Sequence, residues 1–90
     1  MIARRLLIRG RVQGVGFRYA LADEARARDL CGWVRNRRDG SVEAVVAGGV
    51  AQVEALIAWA HRGPAAARVA SVEVEPTTAE ARPFEILTTA

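Results

Sequence analysis

The chain predicts an α+β sandwich in the order strand, helix, strand, strand, helix, strand (βαββαβ), folded as a single domain over residues 1–90. Three observations lead there. Stretches starting at Arg5, Ser41 and Val69 place apolar residues at every second position, the period of a half-buried strand. Two longer stretches, from Phe17 and from Val50, lack glycine and proline and repeat apolar residues at helical spacing. Glycine-containing breaks stand between them, where turns are needed.

The first strand covers residues 5–12, with Leu6, Ile8, Gly10 and Val12 on a core face and Arg5, Leu7, Arg9 and Arg11 on a mostly solvated one. After the glycines, Phe17 to about Arg28 is an amphipathic helix, with Phe17, Leu21 and Ala25 at four-residue intervals. It ends between Asp29 and Gly32, and Trp33-Val34-Arg35-Asn36 is extended and rich in β-formers. Arg38-Asp39-Gly40 is a hairpin turn, because Asp-Gly accepts left-handed backbone, and Ser41 to Ala47 is the returning strand. Beyond Gly48-Gly49 a second helix carries Val50, Val53, Leu56, Ile57 and Ala60 on one face, and Arg62-Gly63-Pro64 stops it. Ala65 to Arg68 connects to a strand over Val69 to Glu75. Pro76 to Arg82 is loop, and Phe84 to Leu87 adds a short strand at a sheet edge, where Pro83 is tolerable. Two right-handed crossovers and one hairpin put both helices on one face of a mostly antiparallel sheet with the first strand central, the ferredoxin-like arrangement.

Composition narrows the function. With 90 residues, 51% hydrophobic and 26% charged, the chain suffices for one core and not for two. No apolar run approaches the roughly 20 residues of a membrane helix. The N-terminal Met-Ile-Ala-Arg-Arg-Leu-Leu-Ile-Arg lacks the apolar core of a signal peptide, so a cytoplasmic protein is expected. A single cysteine, Cys31, and a single histidine, His61, make neither a disulfide framework nor a structural zinc site within one chain. Cys31 reads as a small core residue, and His61 as a favourable charge at a helix C-terminus. All 13 basic residues are arginine, which removes every lysine-dependent mechanism, the Walker-type phosphate loop among them. The net charge of +3 suits anionic partners.

The stretch from Gly10 to Arg18, Gly-Arg-Val-Gln-Gly-Val-Gly-Phe-Arg, lies where the strand pattern gives way to the helix pattern. Glycines let the backbone approach a ligand, and the first N–H groups of the following helix have no intrahelical partner. Such a turn holds an anion. Arg18 in the first helical turn is unfavourable next to the positive helix end unless an anion sits between them. The competing reading is a tight turn that carries a surface arginine.

A second cluster, Gly32-Trp33-Val34-Arg35-Asn36 followed by Asp39-Gly40-Ser41-Val42-Glu43, sharpens the choice. Together the two stretches resemble the two signatures of the acylphosphatase family, the first from Gly10 through Arg18 and the second from Gly32 through Gly48. The resemblance extends to Arg62-Gly63-Pro64, Ala67-Arg68-Val69 and Phe84-Glu85-Ile86, and so spans nearly the whole chain. It implies a metal-free, cofactor-free hydrolase that splits carboxylic-phosphoric mixed anhydrides into carboxylate and inorganic phosphate. In that family pattern Arg18 corresponds to the arginine that binds the phosphoryl group and Asn36 to the asparagine that positions water. Gln13, Gly14, Val15, Gly16 and Phe17 correspond to the backbone cradle of the phosphate. The residue chemistry agrees: an arginine fork pairs bidentately with phosphate oxygens, and an uncharged asparagine orients water without repelling an anion. No general base lies in either motif, since Asp23, Glu24 and Asp39 fall on the helix beyond its first turn or in the hairpin turn. Departures from the family pattern are Asp29 for a common glycine, Arg28 for an aliphatic residue, and a tail, Thr88-Thr89-Ala90, without the usual aromatic.

The remaining conspicuous residues have plainer readings. Trp33 and Trp59 are packing residues, Arg35, Arg37 and Arg38 a solvated hairpin surface, and Arg68 structural. One rival function is an RNA-binding module, which shares the element order but needs aromatics on its central strands; residues 5–12 and 41–47 contain none. Another is an accessory domain that binds an acyl or carbamoyl phosphate inside a larger carbamoyl-transfer protein. The expected partners are a small acyl phosphate and inorganic phosphate, with no nucleic acid, no membrane and a monomeric state.

Overall fold

A computed structural model describes residues 1–90. Its elements are β1 (Ile2–Arg11), α1 (Phe17–Ala27), β2 (Cys31–Asn36), β3 (Val42–Gly48), α2 (Val50–Ala60), β4 (Arg68–Pro76) and β5 (Glu85–Ile86). The sheet order is β4-β1-β3-β2-β5, antiparallel except for the parallel pair β2 and β5. This is the ferredoxin-like α+β fold. No helix is long and apolar enough to cross a membrane.

The core lies between the sheet and both helices. Leu6, Ile8, Val34, Val42, Ala44 and Val46 from the strands meet Phe17, Leu21, Ala22 and Ala25 of α1 and Val53, Leu56 and Ala60 of α2. Full burial of each large aliphatic or aromatic side chain stabilises by about 1.5–3 kcal/mol. Phe17 and Trp59 bring the helices together at one end, ring centroids 5.5 Å apart. The C-terminus of α1 closes on Asp29 at φ 54, with the Leu30 N–H donating to the Ala25 carbonyl at 2.9 Å. The aspartate thus takes the left-handed position that glycine usually fills, and buried Leu30 anchors the turn.

The other face of the sheet is less solvated than its alternation suggests. Leu7, Val45 and Ala47 are buried although no helix covers them, and Glu43 is only 4% exposed. Three arginine heads converge on the carboxylate. Arg5 Nε donates to Glu43 at 2.7 Å, Arg35 Nε at 2.8 Å and Arg37 at 3.3 Å. Burial alone pushes the Glu43 carboxyl up, but the hydrogen bonds and charges of Arg35 and Arg5 outweigh it and hold the group below its ordinary value of 4.5. Arg35 and Arg37 therefore belong to this cluster and not to a freely solvated hairpin surface.

Element ends also shift. β1 begins at Ile2, which pairs with Gly48, and β2 begins at Cys31, which pairs with Ala47. These pairings come from partners distant in sequence and leave no local signal. Cys31 is half-buried and outside the main core cluster. Past β5 the chain keeps following β2: the Leu87 N–H donates to the Val34 carbonyl at 2.9 Å and the Ala90 N–H to the Asn36 carbonyl at 3.0 Å.

Candidate active site

Strand direction brings the two motifs together. β3 is antiparallel to both β1 and β2, so β1 and β2 run the same way and end at the same edge of the sheet. Register makes this concrete: Val42 is paired with Ile8 on one side and Asn36 on the other. The loop that leaves β1 therefore passes beside the end of β2.

That loop enters α1 through Gly14 at φ 72 and Gly16 at φ 78, and Gly16 is the N-cap with no side-chain cap. Both need left-handed backbone, which glycine supplies without steric cost. None of the N–H groups from Gln13 through Tyr19 donates to a main-chain carbonyl outside regular elements, and the first turn of a helix offers no internal acceptor. A row of free donors at the positive end of a helix dipole is an anion-binding arrangement.

Buried Val12 and Phe17, with Gly14, Gly16, Arg18, Tyr19 and Asn36, line a cavity of about 170 Å³. Arg18 takes part in none of the ion pairs of the molecule. Its guanidinium carbon lies 5.9 Å from the centroid of the Tyr19 ring. Asn36 Oδ1 is the one buried side-chain polar atom without a hydrogen-bond partner. An unpaired cation and an asparagine whose Oδ1 has no partner in the chain thus line one small space, where the first suits an anion and the second can orient a water.

Of the residues singled out in the sequence, Arg18, Asn36, Gly14, Gly16 and Phe17 line this cavity. Gln13 and Val15 do not line it. Gln13 Nε2 instead donates to the main-chain carbonyls of Arg37 at 2.7 Å and Ser41 at 2.9 Å, which clamps the loop to the β2–β3 hairpin. Val15 packs half-buried against the core. Tyr19 lines the cavity and carries no sequence signal beyond following Arg18. No group of three His, Cys, Asp or Glu side chains is placed to hold a metal ion.

A larger cleft of about 510 Å³ lies between Trp33 and the loop residues Thr78 to Arg82. Its cation, Arg82, is paired with Glu80 at 4.0 Å and Glu85 at 3.2 Å, and neither Arg18 nor Asn36 lines it. The unpaired charge and free donors belong to the smaller cavity.

A family model described as Acylphosphatase matches residues 4–86. The chain is 57% identical over 74 residues to an acylphosphatase of Thermococcus kodakarensis, covering 82% of this chain and 81% of that one. It is 56% identical over 81 residues to an acylphosphatase of Cupriavidus necator, covering 90% and 88%. The crystal structure of acylphosphatase from Bacillus subtilis aligns with a TM-score of 0.91 at 35% identity, covering 97% of this chain and 99% of that one. With the family model spanning both motifs and the sheet that joins them, and relatives of more than 50% identity over most of the chain, the chain belongs to the acylphosphatase family.

Proposed function

We propose that the chain hydrolyses acyl phosphates by direct attack of a water held at Asn36 on a phosphoryl group bound by Arg18 and the loop N–H groups. The activity itself, cleavage of a small acyl phosphate to carboxylate and inorganic phosphate, follows from the family. In the mechanism, Asn36 Oδ1 accepts one O–H of the water and aims the oxygen lone pair at phosphorus. Arg18 and the N–H groups of the loop and first helical turn neutralise the equatorial phosphoryl oxygens, whose charge the transition state spreads. The water oxygen forms the new P–O bond as the bond from phosphorus to the acyl oxygen breaks. The electron pair leaves with the carboxylate, and the water's proton passes to a phosphoryl oxygen of the product. A carboxylate is a good leaving group, so positioning and charge stabilisation suffice without a protein base.

The observation that carries this reading is that Asn36, whose buried Oδ1 has no partner in the chain, lines the same cavity as the unpaired Arg18. Hydrolysis of benzoyl phosphate without added metal tests it. Arg18→Ala and Asn36→Ala should each lower kcat about 100- to 1,000-fold, the usual scale for one lost transition-state donor or positioning group. Near-normal turnover by a folded variant of either would sink the assignment. We further take the enzyme to act as a cytoplasmic monomer without nucleic acid. The aromatic-free strands β1 and β3 support the last point, since base stacking needs aromatic platforms there.

A further inference from the structure

We propose that Tyr19 selects the acyl group, favouring planar aromatic acyl phosphates over small aliphatic ones; the inference rests on the Arg18–Asn36 cavity being the phosphoryl site. At about 170 Å³ the cavity is smaller than the roughly 300–1,000 Å³ of pockets that enclose a whole small molecule. A phosphoryl group and an attacking water, whose share of liquid volume is about 30 Å³, are its natural contents. In-line attack places the leaving acyl group opposite the water, so it projects out of the mouth.

Tyr19 stands at that mouth. It lines the cavity and is nevertheless 63% exposed, so the residue is open to solvent beside the phosphoryl site. The other exposed large apolar side chains are Met1, Val50 and Val74, and none of them lines the cavity. Tyr19 is thus the one exposed aromatic surface beside the emerging acyl group. The ring is also held next to the anion-binding cation, since the Arg18 guanidinium carbon is 5.9 Å from its centroid. A planar acyl ring tethered to the bound phosphoryl group can lie against Tyr19, and both surfaces leave water. An acetyl group is too small to cover the ring and gains little.

The experiment compares kcat/KM for benzoyl phosphate and acetyl phosphate in wild type, Tyr19→Phe, Tyr19→Ala and Arg18→Ala, with inorganic phosphate as competitor. Tyr19→Ala should lower the benzoyl value about 3- to 10-fold, the scale of one aromatic contact, mostly through KM. The acetyl value should fall by less than about twofold, and Tyr19→Phe should keep the wild-type ratio, because the ring remains. An unchanged benzoyl-to-acetyl ratio in Tyr19→Ala overturns the proposal. Parallel loss on both substrates with weakened phosphate inhibition also overturns it and makes Tyr19 a positioning residue for Arg18. Undiminished turnover of both substrates by Arg18→Ala removes the phosphoryl site itself and the proposal with it.

Discussion

The side-chain amide of Gln13 donates to the main-chain carbonyl of Arg37 at 2.7 Å and so joins the loop after β1 to the residue that follows Asn36. The same nitrogen reaches the Ser41 carbonyl at 2.9 Å, across the base of the β2–β3 hairpin. Gln13→Ala removes both bonds while the loop keeps its glycines. A net loss near 1 kcal/mol should lower the melting temperature by about 4–8 °C. Looser spacing between Arg18 and Asn36 should lower kcat/KM about 10- to 100-fold. Gln13→Glu should do worse, because a carboxylate would face two carbonyls with no donor. Thermal melts and steady-state kinetics on the same preparations test the clamp. Full activity with reduced stability would reduce Gln13 to a structural role.

Asn36 separates stability from activity. Its buried Oδ1 accepts no hydrogen bond from any other group of the chain. Asn36→Ala removes no hydrogen bond that the side chain makes within the protein, so its melting temperature should stay near that of the wild type while turnover collapses. A marked fall in melting temperature would show that Asn36 is held by contacts the folded chain needs.

Glycines at different places should fail differently. A Cβ on Gly32, at φ 125, would lie 1.8 Å from the Val45 carbonyl oxygen, inside the β2–β3 pairing. Gly32→Ala should therefore cost several kcal/mol and impair folding. Gly14 and Gly16 have open space around them, so alanine there meets only the left-handed strain of about 1–2 kcal/mol. Those two variants should fold and bind inorganic phosphate more weakly. Circular dichroism and phosphate inhibition distinguish the two classes.

The Glu43 cluster predicts the acid limb of stability. Its folded pKa is depressed by Arg35 and Arg5 despite burial, so its stabilising contribution is fully present above the ordinary value of 4.5. It is lost as pH falls below 4.5 and through the lower folded value. Melting temperature should accordingly be flat from pH 7 to about 5.5 and decline below 4.5. Glu43→Gln should melt lower at pH 7, because Arg5, Arg35 and Arg37 lose their shared carboxylate, and should show a shallower acid limb. An acid limb as steep as that of the wild type would place the titration elsewhere.

Much of this molecule is legible residue by residue. Period-two and helical spacing mark the central parts of the long strands and both helices, because each element buries one face and its own residues record that face. The Gly14 and Gly16 turn is equally visible, since left-handed backbone favours glycine, and Arg18 and Asn36 stand out through the resemblance of their motifs to the family signatures. Less legible are the early starts of β1 and β2, the burial of Leu7 and Val45 and the outward place of Cys31. Each of these depends on a partner far away in the chain.

By itself, the sequence determined the order of elements and the glycine turn before the first helix, because these follow from local periodicity and backbone chemistry, while the roles expected of Arg18 and Asn36 came with the resemblance of the two motifs to the family signatures. Tertiary structure alone decided that Ile8, Val42 and Asn36 stand in one register and that Gln13 grips the hairpin instead of facing the cavity. It also decided that Glu43 gathers three arginines and that Tyr19 stands exposed at the cavity mouth. The physical reason is common to all four. Register, burial and hydrogen-bond choice are set by which distant groups become neighbours when the sheet closes, and no local pattern encodes that.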